Sequence, residues 1–259
     1  MTRENIEKDP SIILTAVHAY AVNDLDVDDE IKELINNNLD LIKNIKPEVA
    51  YEIFSSIMET NHPERYIREF KEVFFAFIPG LKETYGFKQN NPWHIYDVFE
   101  HTMHVIENTK DNKALRIAAL FHDLGKPSVY FEETKVVDGE EKTIGRFFGH
   151  AKRSKEYFNA FAKALNVPET ERVLIERLIV MHDYQLSTKP NKIKQYIEEL
   201  GPENVPLLFA LKRADNLAQN PEKTEQVLKL LDEQEAIFMD YISKNYNNQP
   251  EETPVKRHK

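Results

Sequence analysis

The chain has 259 residues, no cysteine and only 7 glycines, well under half the usual glycine share of ~7%. That excludes disulfides, thiolate zinc sites, iron–sulfur clusters and thiol nucleophiles. It also disfavours sandwiches, barrels and glycine-rich nucleotide sheets, which need many turn glycines. A formal net charge of −10 repels nucleic acid over the surface as a whole and leaves room only for a local basic pocket. The opening MTRENIEKDP holds no apolar signal segment, and the longest apolar runs, 73–78 and 207–211, fall far short of a membrane span. A cytoplasmic chain with no membrane partner is expected.

Residues 9–23 read as a short helix with Ile12, Ile13, Ala16, Val17 and Tyr20 on one side. Asp28 has the form of an N-cap, and Ile31, Leu34, Ile35, Leu39 and Ile42 follow at helical spacing. Pro47 opens a helix with Ala50, Ile53, Phe54 and Ile57 inward. Pro63 opens another, carrying Tyr66, Ile67, Phe70, Val73, Phe74 and Phe77, and Pro79-Gly80 stops it. A helix is expected over 92–110. An apolar one follows over 114–124, with Gly125 and Pro127 as a glycine-then-proline stop. Residues 129–131 and 142–148, around Asp138-Gly139, carry the one convincing hairpin signal. Helices resume over 151–165, 169–182, 192–200 and 205–218. Val227, Leu230, Leu231, Phe238 and Tyr241 mark a last amphipathic helix, and 247–259 is a polar tail.

Six of the nine histidines fall between His94 and His182. His94, Asp97, His101 and His104 are spaced to share one helix face. His122-Asp123 ends one apolar helix, His182-Asp183 ends another, His150 follows a strand, and Asp215 sits inside an otherwise apolar helix. Charged groups in such places are costly unless paired or metal-bound. Imidazoles and carboxylates without thiols suit a hard or borderline divalent cation, which can activate water for hydrolysis. From the residues alone the reading is a metal-dependent hydrolase.

The order His101, His122-Asp123, Asp215, with the wording HDLGKP and GHAKRS, resembles the HD superfamily of metal-dependent phosphohydrolases. That resemblance implies an all-α fold: an HD-domain helical bundle with one small β-hairpin, preceded by a small N-terminal helical bundle. It implies that His101, His122, Asp123 and Asp215 hold a first metal, that His150 and His182 hold a second with Asp123 bridging, and that Lys126 neutralises a phosphate oxygen. Asp123 and Lys126 are then the catalytic candidates. The cofactor is a divalent ion (Mg, Mn, Ni or Fe), one or two per chain. A closer resemblance covers most of the sequence. KNIKPEVAYEIF, FIPGLKETYGFKQNNPWHIYDVFEHT, FFGH and LKRADNLAQNP are similar to the part of bacterial tRNA CCA-adding enzymes that follows the nucleotidyltransferase head. That head has no counterpart in 1–8, and Ile12, Thr15 and His18 stand where the family places spaced arginines, so nucleotide addition is not expected.

The implied division is 1–85 neck-like helices, 86–220 HD phosphohydrolase domain and 221–259 C-terminal helix and tail. The implied activity is hydrolysis of nucleotides or RNA ends, either 2′,3′-cyclic phosphates or phosphomonoesters. Candidate phosphate contacts are His94, Lys126, Arg146, Lys152, Arg153 and Arg213, with Arg213 favoured because it precedes Asp215. His94 and His104 read as hydrogen-bonding donors behind the metal site, as acids for the leaving group, or as ordinary polar histidines. Asp97 either orients His101 or caps its own helix, and Phe87, Trp93, Tyr96 and Tyr130 either stack a base or belong to the core. Further partner expectations are tRNA and a homodimer. Two other readings stand beside this one: a nucleotidase or cyclic-nucleotide hydrolase of signalling or defence, and a non-catalytic tRNA-binding or interaction remnant.

Overall fold

Local signals account for most element starts. Asp28 accepts hydrogen bonds from the Glu30 and Ile31 amides and caps a helix, while Pro47, Pro63, Pro190 and Pro221 each occupy a helix first turn, where a missing N–H costs nothing. The computed structural model of the chain describes residues 1–109, 112–137 and 140–246. Among these, fourteen helices and one hairpin follow in the order α1 Arg3–Lys8, α2 Ile12–Val22, α3 Asp29–Asn36, α4 Pro47–Met58, α5 Pro63–Glu69, α6 Lys71–Phe77, α7 Val98–Glu107, α8 Lys113–Phe121, α9 Lys126–Val129, β1 Phe131–Val137, β2 Glu140–Arg146, α10 His150–Ala164, α11 Glu169–Met181, α12 Pro190–Leu200, α13 Val205–Leu217 and α14 Pro221–Asn245. The all-α reading with one small hairpin holds. The strands pair antiparallel from Phe131 opposite Arg146 to Val137 opposite Glu140. The expected turn at Asp138-Gly139 and the polar tail at 247–259 lie outside the described residues.

Four element expectations need correction. The helix expected through Ile42 ends at Asn36, in a run of three asparagines whose side chains compete for the backbone; Asn38 Nδ2 bonds Leu34 O, and a 3₁₀ turn, Leu39–Asn44, replaces the rest. The helix from Pro63 breaks at Phe70, whose ring is buried against Tyr20. The helix expected from 92 begins only at Val98. Asp97 is its N-cap, accepting from the Glu100 amide, and Asn91 Oδ1 accepts from the Trp93 amide in a local turn. Gly125 is not a left-handed helix cap, since its φ is −75°, and Pro127 lies inside α9. The glycine is required by close approach: a Cβ there would stand 2.3 Å from His150 O and 2.7 Å from Ser154 N.

One hydrophobic core runs from Ile6 to Ile242. α8 is at its centre, with every side chain from Leu115 to Phe121 buried. An aromatic chain ties the first helices to it: Phe54 of α4 and Phe77 of α6 both pack on Phe161 of α10, which meets Phe121 of α8 at 5.0 Å between ring centroids. No helix among the described residues is long and apolar enough to cross a membrane.

Because the obstructing atoms at Gly125 are backbone, they cannot swing aside. Gly125→Ala is expected to lower the unfolding free energy by about 1–3 kcal/mol, read from urea denaturation.

Candidate metal centre

The ends of α8 and α11, the start of α10 and the bodies of α7 and α13 converge on one point. His101 lies on α7, His122 and Asp123 in the turn after α8, His150 at the first position of α10, His182 just past α11, and Asp215 on α13. The helices end there for a local reason. Carbonyls in the last turn of a helix lack an intrahelical partner, and a histidine beside them can supply one. His122 Nδ1 donates to Ala119 O at 2.7 Å and His182 Nδ1 to Ile179 O at 2.6 Å. His150 Nδ1 donates to Phe147 O at 3.0 Å and His101 Nδ1 to Ala218 O at 3.3 Å.

A carbonyl can only accept, so in each neutral ring the proton is on Nδ1 and Nε2 carries a bare lone pair. All four Nε2 atoms face carboxylates. Asp123 Oδ2 is 3.3 Å from His101 Nε2 and 3.1 Å from His122 Nε2, while Asp123 Oδ1 is 3.3 Å from His150 Nε2 and 3.8 Å from His182 Nε2. Asp215 Oδ1 adds contacts of 3.1 Å to His101 and 3.9 Å to His122, and accepts from Gln219 Nε2 at 3.1 Å. Asp123 thus turns one oxygen to each pair of rings. The ligand atoms of His101, His122 and Asp123 lie within 4.8 Å of one another, as do those of Asp123, His150 and His182.

This donor set fits a divalent cation. The buried Nε2 atoms of His101 and His122 and Asp123 Oδ1 have no hydrogen-bond partner, and Asp123 Oδ2 is met by the Lys126 ammonium alone. His150 Nε2 and His182 Nε2 face each other at 3.2 Å, two lone pairs that repel unless positive charge lies beside them. Burial opposes charge on both carboxylates, yet His122 and Lys126 hold Asp123 well below the usual range and His101 holds Asp215 low. Burial likewise opposes the charged form of His101, but Asp123 and Asp215 outweigh it and push its pKa up to about 9. Burial, with His122 and His150 adding to it, holds His182 well below its ordinary value.

Asp123, His150, His182 and Asp215 border a cavity of about 370 Å³, with His101 and His122 buried behind them. Lys126 is buried beside it, with Nζ 2.6 Å from Asp123 Oδ2, 2.7 Å from Gln89 Oε1 and 3.3 Å from His94 Nε2. His94 lines the cavity from the loop before α7, not from a shared helix face. Its Nδ1 donates to Asn91 Oδ1 at 2.8 Å, so its Nε2 accepts from Lys126, and burial with Lys126 nearby keeps the ring neutral. His104 is outside the cluster, packed at a tilt against the Tyr96 ring and bonded to Glu107.

Four expected phosphate contacts are placed elsewhere. Arg213 pairs with Asp232 and Glu235 of α14; two residues from Asp215, it lies on the opposite side of α13. Arg146 pairs with Glu133 across the hairpin. Lys152, two residues past His150, faces solvent, and Arg153 pairs with Glu156. The cation that does reach the cavity from α13 is Lys212, three residues before Asp215 and so on its face. Its ammonium donates to His182 O and, at 2.9 Å, to Tyr184 O, and burial lowers its pKa. A lysine inside an apolar helix was a legible signal. Gln89, in an aperiodic loop, offered none.

Residues 94–220 match the HD domain family. This part of the chain is an HD domain. HD domains are a family of metal-dependent hydrolases, and the His/Asp groups described above can hold the ion such a domain uses. The chain is also 25% identical over 150 residues, 56% of its own length, to the Multifunctional CCA protein of Shewanella frigidimarina (strain NCIMB 400), of which it spans 33%. That weak homology is to the C-terminal part of the CCA-adding enzyme.

If the HD cluster holds an ion only in the folded state, the ion stabilises the fold. Protein stripped with a chelator is expected to gain about 2.7 kcal/mol of unfolding free energy when Mn²⁺ or Ni²⁺ is added to a hundred times its Kd. Asp123→Ala should abolish that gain, as read by thermal melts and by metal content after dialysis.

Proposed function

We propose that this chain is a phosphohydrolase that cleaves nucleotide or RNA-end phosphate esters, 2′,3′-cyclic phosphates or phosphomonoesters, in the cytoplasm. The observation that carries the reading is the clustering of four histidine Nε2 atoms and two carboxylates beside a cavity that Asp123, His150, His182, Asp215 and two lysines line. His101, His122, Asp123 and Asp215 would hold one divalent ion, and His150 and His182 a second, with Asp123 shared. The two-sided placement of the Asp123 oxygens supports two ions. Such ions supply Lewis-acid polarisation of a phosphoryl oxygen and make a nearby water more acidic.

The remaining work belongs to the chain's own groups. Lys126 and Lys212 offset the negative charge of the phosphate, and Lys126 is aimed by Gln89 and His94. Lys212 spends two of its three donors on carbonyls, which leaves one N–H for the ester. In the reaction, water oxygen bonds to phosphorus as the phosphorus–oxygen ester bond breaks. The proton the water loses goes to solvent and the leaving oxygen takes one from solvent, so ester plus water balances acid plus alcohol; Asp123, kept ionised, would hold the ions rather than take the proton. Nucleotide addition is not part of this reading, which has no counterpart of the family's spaced arginines at Ile12, Thr15 and His18. tRNA and a second copy of the chain remain proposed partners.

The test is a panel of 2′,3′-cyclic nucleotides, 2′-, 3′- and 5′-monophosphates and a generic phosphodiester, each with Mg²⁺, Mn²⁺, Ni²⁺ and Fe²⁺. Hydrolysis is expected with at least one ion. It should fall by more than about 100-fold in kcat/KM in His122→Ala and Asp123→Ala and stay within about twofold in His18→Ala. Tight tRNA binding with no turnover under any ion would overturn the catalytic reading, and incorporation of ATP or CTP into tRNA would overturn the exclusion of nucleotide addition.

A further inference from the structure

A second and larger cavity, of about 1210 Å³, adjoins the metal centre. The two share His94 as a wall. They also share a hydrogen-bonded partition: Gln89, which lines the large cleft, accepts from Lys126 Nζ at 2.7 Å, and the same ammonium is 2.6 Å from Asp123. A ligand lying in the cleft is therefore one side chain away from the proposed reaction centre.

The cleft is rigidly framed. Gly145 of β2 donates its N–H to Asn90 O at 2.7 Å, and a Cβ on it would stand 2.4 Å from Gln89 O, so the hairpin is pressed against the 89–90 loop. On the other side the loop is fastened to the start of α14, where the Asn220 amide donates to Trp93 O at 2.8 Å. Loop, hairpin and α14 thus form three fixed walls.

The chemistry of these walls differs from the rest of the surface. Lys88, Lys142 and Lys223 come from the three separate elements, are exposed, and make no ion pair among the described residues. The two carboxylates in the lining are already engaged. Asp97 accepts from the Gly86 and Glu100 amides, and Glu132 accepts from Tyr130 Oη and Asn90 Nδ2. On a chain of net charge −10 this is a concentration of free cations beside a phosphate site. Tyr96 and Ile95 present exposed apolar surface in the same cleft, and Asn90 and Asn91 offer amides. Spaced cations with an exposed aromatic ring are what a single nucleic-acid strand uses, the cations tracking phosphates and the ring stacking a base. The volume exceeds the roughly 300–1,000 Å³ of ordinary small-molecule sites, so a lone mononucleotide leaves most of it empty.

We infer that the cleft holds the nucleotides next to the reacting phosphate, and that the substrate is the end of a single-stranded oligoribonucleotide rather than a free mononucleotide. The inference rests on the phosphohydrolase reading for which phosphate reacts, but its binding test does not depend on turnover. Fluorescence anisotropy of the full chain, stripped of ions, is measured with a labelled oligoribonucleotide of about six residues ending in a 3′-phosphate and with a labelled 3′-mononucleotide. The oligonucleotide is expected to bind at least tenfold more tightly. Lys142→Glu/Lys223→Glu should erase that advantage and reduce the slope of log affinity against log salt by about 0.7 per lysine. Lys163→Glu, an exposed lysine at the far end of α10, serves as the charge control and should leave the advantage within about twofold. Equal binding of the two probes, or a double variant no weaker than the control, overturns the cleft assignment. Hydrolysis of small esters alongside that result would leave the phosphohydrolase reading intact. Oligonucleotide binding lost in the double variant, with no hydrolysis under any ion, would support the cleft and remove the activity.

Discussion

Four imidazoles give their Nδ1 protons to main-chain carbonyls, and the metal centre depends on that choice. The bond sets the tautomer and aims the ring, and for His101, His122 and His182 it answers carbonyls that a helix end leaves open. One interaction therefore serves both the backbone and the site. With each proton committed on the far side, the rings have only lone pairs to present to one another and to the two carboxylates. A protein interior tolerates such a cluster when positive charge sits within it. The same demand for positive charge appears at His101, where Asp123 and Asp215 outweigh burial and raise the pKa.

The fold brings this about with helix ends more than with helix faces. α8 and α11 bury apolar surface along their length and release their chains at the same depth, where His122 and His182 stand with ring centroids 5.0 Å apart. α10 begins there too, held against α9 by a contact that admits no side chain at Gly125 and by the Gly125 amide donating to Ser154 Oγ at 2.9 Å. The oppositely placed Asp123 oxygens then link two sets of rings carried on different helices. Packing fixes the distances, and lone pairs brought together in this way are able to hold an ion.

Much of this was legible in the sequence, for a definable reason. A histidine or aspartate that ends or interrupts an apolar run advertises a cost, and His122, Asp123, His182 and Asp215 were all visible in that way. Proline and aspartate signals placed α3, α4, α5 and α14 because they act within one turn. What stayed hidden depended on contacts far along the chain or on a competing local bond. His94 was read as helical because its spacing to His101 allowed it, but the asparagine turn at Asn91 and the cap at Asp97 had prior claim on that backbone. Nearness in sequence to Asp215 points to Arg213, whereas helix geometry turns neighbours two apart away from each other and brings Lys212, three apart, onto the same side. Gln89 carried no pattern at all; its importance comes from the hairpin that closes over it.

The aromatic contacts through Phe54, Phe77, Phe161 and Phe121 have a consequence for how the molecule can be divided. Cutting the chain between α6 and α7 would expose the ring faces of Phe161 to water directly behind the helix that ends in His122. The severed HD portion would carry an open aromatic wound one layer beneath its own ligands. The leading helices are thus structural backing for the ligand cluster.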